Sequence, residues 1–312
     1  MNGFLIYIIT IIMFLIMLFV LNRIVVYRAE TKFPSTGEFI EVDDIKLHYY
    51  KKGDGRPVIF LHGGILCAED FNNVLDLAKD DYQVIAFDRM GYGYSQRSKK
   101  EKITPMVQAD ILHKAIKKMN IKNPILVGHS WSGLLVLSYA LNYPKELAGI
   151  VLLAPGAYAE RYPAGKGDLL SKIVITPIIG KLFLHILLVP LGQLMVNVML
   201  KPTFKPDSVP LKYQQRVKAL WLRPNHFKAN REDIISFVPA AKKLSIHYHK
   251  INVPTQIVIG EKDPFDTKED SYQLYNDIPH SNLIECPNAG HMLPQAHPKA
   301  VIKALEKLFN SK

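Results

Sequence analysis

A serine between a short apolar segment and a helical segment is the residue with the clearest capacity for chemistry. The apolar run Pro124–Val127 is followed by Gly128–Gly133, with the sequence GHSWSG. A serine on a sharp strand-to-helix turn presents its hydroxyl above the end of a sheet. The motif departs from Gly-x-Ser-x-Gly because Ser132 occupies the second glycine position, although serine is small enough for such a turn. Ser130 is therefore predicted to be a nucleophile.

A serine hydroxyl is a weak nucleophile at neutral pH and needs a general base. His291 follows Asn288, Ala289 and Gly290, just after the last predicted strand. His297 is the rival, but it precedes Pro298 at the start of the final helix and has the position of a helix-entry residue. His291 is therefore the predicted base.

The imidazole in turn needs a carboxylate that fixes its tautomer and stabilises its charged form. Asp263 lies a few residues past the apolar run Thr255–Ile259, which gives it the best position. Asp266 and Glu261 are the alternatives in the same loop. With Asp263, the chain order of nucleophile, acid and base is the order that a strand–turn–helix nucleophile of this kind requires.

Backbone N–H groups can stabilise the negative charge that develops on a substrate oxygen. The N–H of Trp131 follows the nucleophile directly. The N–H of Gly64 lies after His62-Gly63, at the carboxyl end of the earlier apolar run Pro57–Leu61. Gly64 and Trp131 are the predicted oxyanion donors.

Short apolar runs bounded by turn residues predict the strands that position these residues. The runs are Pro57–Leu61, Gln83–Phe87, Pro124–Val127, Ala148–Leu153, Thr255–Ile259 and the weaker Asn282–Glu285. Alternation over Glu38–Lys51 around Asp43-Asp44 predicts an antiparallel hairpin, and helices are predicted over Thr104–Asn120 and Pro298–Asn310. Alternating strands and helices predict an α/β fold with a mainly parallel sheet.

Strand-like runs disappear between Gly156 and Lys250. Asp168–Leu200 is apolar but interrupted by prolines and glycines, which favours broken helices over a second transmembrane helix. Leu211–Leu222 has the pattern of an ordinary helix. We therefore predict a core in two parts, residues 36–155 and 251–312, with a helical cap over residues 156–250.

The segment Gly3–Leu21 contains no charged residue, and at 1.5 Å per residue its 19 residues approach the ~30 Å thickness of a bilayer core. No basic residue precedes it and no small-residue cleavage site follows, so residues 1–30 are predicted to be an uncleaved membrane anchor. Arg23 and Arg28 follow the apolar run. The positive-inside rule then predicts a single-pass protein with its catalytic domain in the cytoplasm.

Composition excludes several other classes of protein. The chain has 312 residues, 48% apolar and 21% charged, with a net charge of +11. Its basic residues are scattered, which is typical of a solvated basic surface and does not indicate nucleic-acid binding. Attraction to an anionic membrane surface is the alternative. Cys67 and Cys286 are isolated, so neither a disulfide framework nor a zinc site is expected.

Five successive motifs resemble those of the α/β-hydrolase superfamily: His62–Gly64, Asp88–Ser95, Gly128–Gly133, Gly260–Asp263 and Gly290-His291. The resemblance implies an eight-stranded sheet, a cap domain, a Ser130–His291–Asp263 triad and no cofactor. A serine rather than an aspartate at the nucleophile position speaks against dehalogenases and epoxide hydrolases. The anchor and cap together are similar to membrane-bound monoacylglycerol lipases.

The expected activity is hydrolysis of lipophilic carboxylic esters, such as monoacylglycerols, which would be small-molecule partners. A proline-iminopeptidase-type enzyme is an alternative, although Ile65-Leu66 replaces the Pro-Gly that follows His-Gly-Gly there. Carbon–carbon bond hydrolases use the same triad and stay open. A non-catalytic membrane binding protein on the same scaffold is the third alternative.

Overall fold

The computed structural model describes residues 3–98, 100–163 and 167–310. Residues 164–166 of the predicted cap lie outside the described residues. So do residues 1–2 of the predicted anchor and 311–312 of the predicted second core segment.

One sheet runs through the core, and its eight strands follow the order β1-β2-β4-β3-β5-β6-β7-β8. The strands are β1 Glu38–Val42, β2 Ile45–Lys52, β3 Arg56–Leu61, β4 Tyr82–Phe87, β5 Ile125–His129, β6 Gly149–Leu153, β7 Thr255–Gly260 and β8 Ser281–Cys286. The hairpin β1–β2 and the pair β2–β4 are antiparallel, whereas all other neighbours are parallel. The predicted mainly parallel, eight-stranded α/β sheet is confirmed.

Burial explains why apolar runs rather than alternating patterns form the central strands. Every residue of β5, β6 and β7 is buried, because helices cover both faces of the sheet. Each predicted central strand begins and ends within two residues of the boundaries in the structure.

Helices cover both faces of this sheet and form the insertion. They are α1 Gly3–Lys32, α2 Asn72–Ala78, α3 Pro105–Lys118, α4 Ser132–Asn142, α5 Leu169–Ile175, α6 Ile179–Leu182, α7 Leu188–Phe204, α8 Leu211–Leu220, α9 Pro224–Ser245, α10 Thr267–Asp277, α11 Leu293–Ala296 and α12 Pro298–Asn310. A π-helical turn, Phe183–Leu187, joins α6 to α7. Thr104 caps α3 as predicted, because its hydroxyl accepts a hydrogen bond from the Val107 N–H at 3.2 Å.

Two apolar layers sandwich the sheet. On one face, α3 and α4 contribute Ile111 and Leu135 to a core that includes Leu126 of β5. On the other face, α2 and α12 contribute Leu75 and Leu305. The carboxyl ends of β5, β7 and β8 are thereby held as a rigid edge.

The helices α5–α9 form an insertion between β6 and β7, as the loss of strand patterns predicts. The insertion has an apolar core of its own, which includes Val196, Leu200 and Val217. This core continues onto Leu66 and Met292, which lie in loops at the end of the sheet. The insertion is therefore packed directly over that edge.

Helix α1 runs eleven residues beyond the apolar segment that ends at Leu21. Its carboxyl-terminal part packs against the insertion: Asn22 is 2% exposed and its Nδ2 donates to the Leu184 carbonyl at 3.2 Å. Two described helical segments are long and apolar enough to span a membrane, α1 and Ile179–Phe204. No residue of the most apolar window of the first segment is buried, whereas 28% of the corresponding window of the second is buried against the protein.

Candidate active site

Ser130 lies on a strained turn between β5 and α4. Its φ of 54° is in the left-handed region, which is costly for a residue with a side chain. The Ser130 N–H donates to Leu153 O at 2.9 Å, and its carbonyl accepts from the N–H groups of Gly133 and Gly156 at 2.9 and 3.0 Å. These bonds hold the strained backbone in place.

Close packing explains the small residues around the serine. A Cβ on Gly128 would lie 2.7 Å from the Ser132 carbonyl oxygen, and one on Gly133 would lie 2.5 Å from the Pro155 Cβ. Ser132 itself is fully buried, and its hydroxyl donates to the His62 carbonyl at 2.5 Å. The departure from the glycine pattern thus provides a hydrogen bond between the turn and the end of β3.

Three distant side chains form a continuous chain of hydrogen bonds at the edge of the sheet. The Ser130 Oγ lies 2.9 Å from the His291 Nε2, and the His291 Nδ1 lies 2.8 Å from the Asp263 Oδ2. With a proton on Nδ1, the ring donates to the carboxylate and its Nε2 accepts from the serine hydroxyl. The three residues follow β5, β8 and β7 respectively.

The surroundings of Asp263 favour its charged form. Burial alone would raise the pKa of its carboxyl, but His291 opposes this effect together with hydrogen bonds from Phe265 N–H at 3.0 Å and Thr267 Oγ1 at 2.8 Å. The pKa of Asp263 therefore lies below its ordinary value. A charged carboxylate is the form that orients an imidazole and stabilises its cation.

The alternatives considered from the sequence have other partners. Glu261 accepts from the Asn288 N–H at 2.9 Å, and Asp266 precedes α10 beside the cavity. The His297 Nε2 lies 2.9 Å from the Asp207 Oδ2, within a contact between the core and the insertion. The structure brings Asp263 and His291 to Ser130, and it leaves these three outside that chain of hydrogen bonds.

His129 was not anticipated as part of the site. Burial lowers the pKa of this imidazole to about 3, so it is neutral at physiological pH. Its Nε2 donates to the His291 carbonyl at 2.9 Å. The residue before the nucleophile thus fixes the backbone of His291, and only its adjacency to Ser130 could have signalled this contact.

Gly64 and Trp131 both line the cavity that contains Ser130. Within residues 3–98, 100–163 and 167–310, neither backbone N–H donates a hydrogen bond to another residue. Both are therefore free to donate to a ligand next to the serine.

The cavity has a volume of about 780 Å³, which falls in the range of small-molecule sites. The sheet edge contributes Ser130, His291 and the glycine-rich loop. The insertion contributes apolar and polar side chains, namely Met199, Pro202, Thr203, Trp221, Asn230, Arg231 and Ile234. Among the described residues, no group of His, Cys, Asp and Glu is arranged to hold a metal ion, and Cys67 and Cys286 are free and buried.

A buried ion pair joins the Asp88–Ser95 loop to the insertion. The Arg89 Nη1 lies 2.6 Å from the Asp233 Oδ2, and the guanidinium lies 4.3 Å from the ring of Tyr92 and 4.1 Å from that of Trp131. The sequence showed this loop only as one of the five superfamily-like motifs. No sequence signal pointed to its partner, which lies 144 residues away on α9.

Comparison with known proteins agrees with this architecture. A family model described as the alpha/beta hydrolase fold matches residues 56–174, and a serine hydrolase (FSH1) model matches residues 223–301. The uncharacterized hydrolase YugF of Bacillus subtilis is 26% identical over 273 residues, which cover 83% of this chain and 93% of YugF.

Two further proteins are similar over most of the chain. A 2-hydroxy-6-oxononadienedioate/2-hydroxy-6-oxononatrienedioate hydrolase of Comamonas testosteroni is 23% identical, covering 87% of this chain and 96% of its own. The crystal structure of a membrane phospholipase A superposes with a TM-score of 0.67 at 14% identity, covering 100% of this chain and 99% of that one. With the eight-stranded sheet and the strand–turn–helix serine, the two family models identify the chain as a hydrolase of the α/β-hydrolase superfamily.

Proposed function

We propose that the protein is a membrane-anchored serine hydrolase that cleaves carboxylic esters of lipophilic substrates such as monoacylglycerols. The hydrogen-bond chain from the Ser130 hydroxyl through His291 to Asp263 carries this proposal. No group outside the protein is needed for the reaction except water.

In the first half of the proposed reaction, the Ser130 Oγ attacks the ester carbonyl carbon while the His291 Nε2 takes the hydroxyl proton. The carbonyl oxygen becomes an oxyanion that accepts from the Gly64 and Trp131 N–H groups. Collapse of this intermediate breaks the bond to the alcohol, which leaves with the proton from His291, and an acyl-serine forms.

In the second half, His291 takes a proton from water, and the resulting hydroxide attacks the acyl-serine. The same two N–H groups stabilise the second oxyanion. The bond to Ser130 Oγ then breaks, His291 returns the proton to this oxygen, and the carboxylic acid is released. Asp263 stays charged throughout and stabilises each imidazolium.

The apolar outer surface of the insertion supports a lipophilic substrate. Helix α7 contributes Met199 and Pro202 to the cavity, and it also exposes Leu194 and Val198, each 75% accessible. An acyl chain that leaves a bilayer would meet this helix on its way to Ser130. The related membrane phospholipase A agrees with such a substrate.

The exposed, uncharged first part of α1 supports a single-pass anchor. Arg23 and Arg28 lie just after the apolar segment, which favours a cytoplasmic position for the catalytic domain. A protease added outside sealed inverted vesicles should then digest the domain. Protection of the domain in those vesicles would contradict the proposed orientation.

Hydrolysis of p-nitrophenyl esters of graded chain length, with and without detergent, tests the proposed activity. We expect turnover that increases from acetyl to medium-chain esters, and a loss of at least about 10³-fold in Ser130→Ala. Unchanged turnover in Ser130→Ala would refute the proposal.

Carbon–carbon bond hydrolysis is the second candidate, and the Comamonas testosteroni relative favours it. Turnover of a 2-hydroxy-6-oxo-dienoate without turnover of any ester would select this reaction. Turnover of proline amides without esters would instead select a peptidase, and complete inertness toward all three would favour a binding protein.

A further inference from the structure

One face of helix α9 binds the glycine-rich loop beside Ser130. His226, Asn230 and Asp233 recur at intervals of four and three residues, so their side chains lie on the same face of the helix. All three are buried, with exposures of 1%, 5% and 0%. They face the segment His62–Ile65, which we call the HGGI loop.

Two of these side chains donate directly to loop carbonyls. The Asn230 Nδ2 donates to the Gly64 carbonyl at 2.6 Å, and the His226 Nε2 donates to the Ile65 carbonyl at 3.2 Å. The Asn230 Oδ1 accepts from the Arg231 Nε at 3.0 Å, which fixes the amide with its nitrogen toward the loop.

The third side chain acts through Arg89. Asp233 binds the Arg89 Nη1 at 2.6 Å, and the same guanidinium donates from Nη2 to the Gly63 carbonyl at 3.0 Å and from Nε to the His62 carbonyl at 3.1 Å. Four successive carbonyls of the HGGI loop therefore accept from side chains of α9 or from Arg89, which is paired with α9. The His62 and Gly63 carbonyls also accept from donors outside α9, the Ser132 hydroxyl and the His62 Nδ1.

Holding a carbonyl also aims the next N–H group. In a trans peptide the C=O of one residue and the N–H of the next lie in one plane and point in opposite directions. The bond from Arg89 to the Gly63 carbonyl therefore directs the Gly64 N–H away from Arg89, and the bond from Asn230 fixes the following peptide plane. Gly64 has no Cβ to restrict its own dihedral angles.

We infer that α9 of the insertion orients the oxyanion hole. In this inference His226, Asn230 and Asp233 are positioning residues for the Gly64 N–H. This inference rests on the proposed function of Gly64. The insertion then has a second task besides covering the cavity, because any motion that lifts α9 from the sheet edge also removes the bonds that hold the Gly64 and Ile65 carbonyls. Catalytic competence is thereby coupled to the closed position of the insertion.

Asn230→Asp tests the inference with a minimal change in shape, because a carboxylate cannot donate to the Gly64 carbonyl. A matched control is Asn225→Asp, the same change at an exposed position of the same helix. We expect kcat for a soluble short-chain ester to fall about 10- to 100-fold in Asn230→Asp while KM changes less than about threefold. Asn225→Asp should keep the wild-type values.

Hydrogen exchange gives a readout that does not depend on turnover. Peptides that cover the HGGI loop should exchange faster in Asn230→Asp than in the wild type and in Asn225→Asp, whereas exchange in β5 should stay unchanged. If Asn230→Asp does not fold, Asn230→Ala provides the same loss of a donor without a buried charge.

Wild-type kcat together with wild-type exchange in the Asn230 variants would overturn the inference. A raised KM with unchanged kcat would also overturn it, because that result would make Asn230 a substrate contact. If the wild type hydrolyses no ester, the proposed function fails, and the exchange experiment still decides whether α9 holds the loop.

Discussion

At the scale of single residues, the hydrogen bonds around Asp263 separate it from its neighbours in the same loop. Its Oδ2 binds the His291 Nδ1 at 2.8 Å, and its side chain is 0% exposed. Asp266 lies three residues later, and its side chain makes no cap bond at the start of α10. The two aspartates have the same side chain but different hydrogen-bond partners. They are therefore a matched pair for mutagenesis.

We expect Asp263→Asn to lower kcat by about 10³- to 10⁴-fold, because an amide neither stabilises the imidazolium nor enforces the required tautomer. Asp266→Asn should stay within about threefold of the wild type. Steady-state ester hydrolysis measures both variants. Equal losses in the two variants would contradict the assignment of Asp263.

The sequence predicted the three residues that form the hydrogen-bond chain but not the residues that support them. Ser130, His291 and Asp263 each follow an apolar strand, so local pattern was enough to place them at one edge of the sheet. Asn230 and Asp233 lie in the middle of a long helix, where a buried polar residue has the same sequence pattern as a solvated one. Only the folded insertion shows which face of α9 is buried.

At the scale of elements, the strand–turn–helix unit around Ser130 combines strain with very close packing. A Cβ at Gly128 would collide with backbone and side-chain atoms of the following turn and helix, each 2.7 Å away. Ser138 lies on α4 in the same unit, and its buried hydroxyl has no hydrogen-bond partner among the described residues. Substitution by alanine should therefore have opposite effects at these two positions.

We expect Gly128→Ala to lower the free energy of unfolding by about 1–3 kcal/mol through overpacking. Ser138→Ala should change the free energy of unfolding by less than about 0.5 kcal/mol or stabilise the protein, because it removes an unsatisfied buried hydroxyl. Urea unfolding followed by circular dichroism measures both. A stable Gly128→Ala protein with full activity would show that the turn is less tightly packed than described.

A second element-scale feature is the contact between α8 and the 3₁₀ turn Ala68–Phe71. The hydroxyl of Tyr213 on α8 donates to the Asp70 Oδ1 at 2.9 Å, and Arg216 pairs with Glu69 nearby. Asp70 is 1% exposed, and burial raises the pKa of its carboxyl from 3.8 to about 7. The folded protein thus keeps a proton that the unfolded chain releases at lower pH.

Because the pKa of Asp70 is raised on folding, its contribution to stability is complete below pH 3.8 and is lost as the pH rises to about 7. The free energy of unfolding of the wild type should therefore fall between pH 5 and pH 8 by more than that of Asp70→Asn, which still accepts from Tyr213. Asp76→Asn changes an exposed carboxyl and should keep the wild-type difference. Urea titrations at the two pH values measure the free energies of unfolding. An equal decrease between pH 5 and pH 8 in the wild type and in Asp70→Asn would contradict the prediction.

The boundaries of helices and strands could be predicted where the amino-acid composition changes sharply. They could not be predicted where tertiary packing determines the end of the element. Thr104-Pro105 predicted the start of α3 correctly because capping is a local effect. The end of α1 was not predictable from the apolar run that ends at Leu21, since the following turns are helical through their contact with the insertion. Asn22 marks this transition, because its amide is buried against the Leu184 carbonyl.

At the scale of the whole molecule, the insertion contacts both α1 and the active site. Its outer surface carries exposed aliphatic side chains, which we call the apolar face; it comprises Ile178, Leu182, Leu191, Leu194 and Val198. Helix α7, which carries Leu191, Leu194 and Val198, also lines the cavity of Ser130. A protein anchored by α1 would hold this face close to the bilayer, where contiguous exposed apolar surface is favourable.

Two glutamates on the apolar face, Leu194→Glu with Val198→Glu, should reduce hydrolysis of a monoacylglycerol presented in vesicles by about fivefold or more, because charge opposes burial in lipid. Hydrolysis of a water-soluble ester should stay within about twofold. Leu77→Glu changes an exposed leucine on α2 and serves as control. Equal effects on both substrates would contradict a role of the face in lipid access.

The most direct test of the account is the covalent product of a fluorophosphonate with the intact protein. Attack by an activated serine displaces fluoride and leaves a phosphonyl group on the hydroxyl oxygen. We expect one adduct, located by peptide mass spectrometry on Ser130 and absent from Ser130→Ala, while Ser132→Ala retains it. A wild-type protein that acquires no adduct on Ser130, in conditions where a control serine esterase is fully modified, would contradict the proposal that Ser130 is an activated nucleophile.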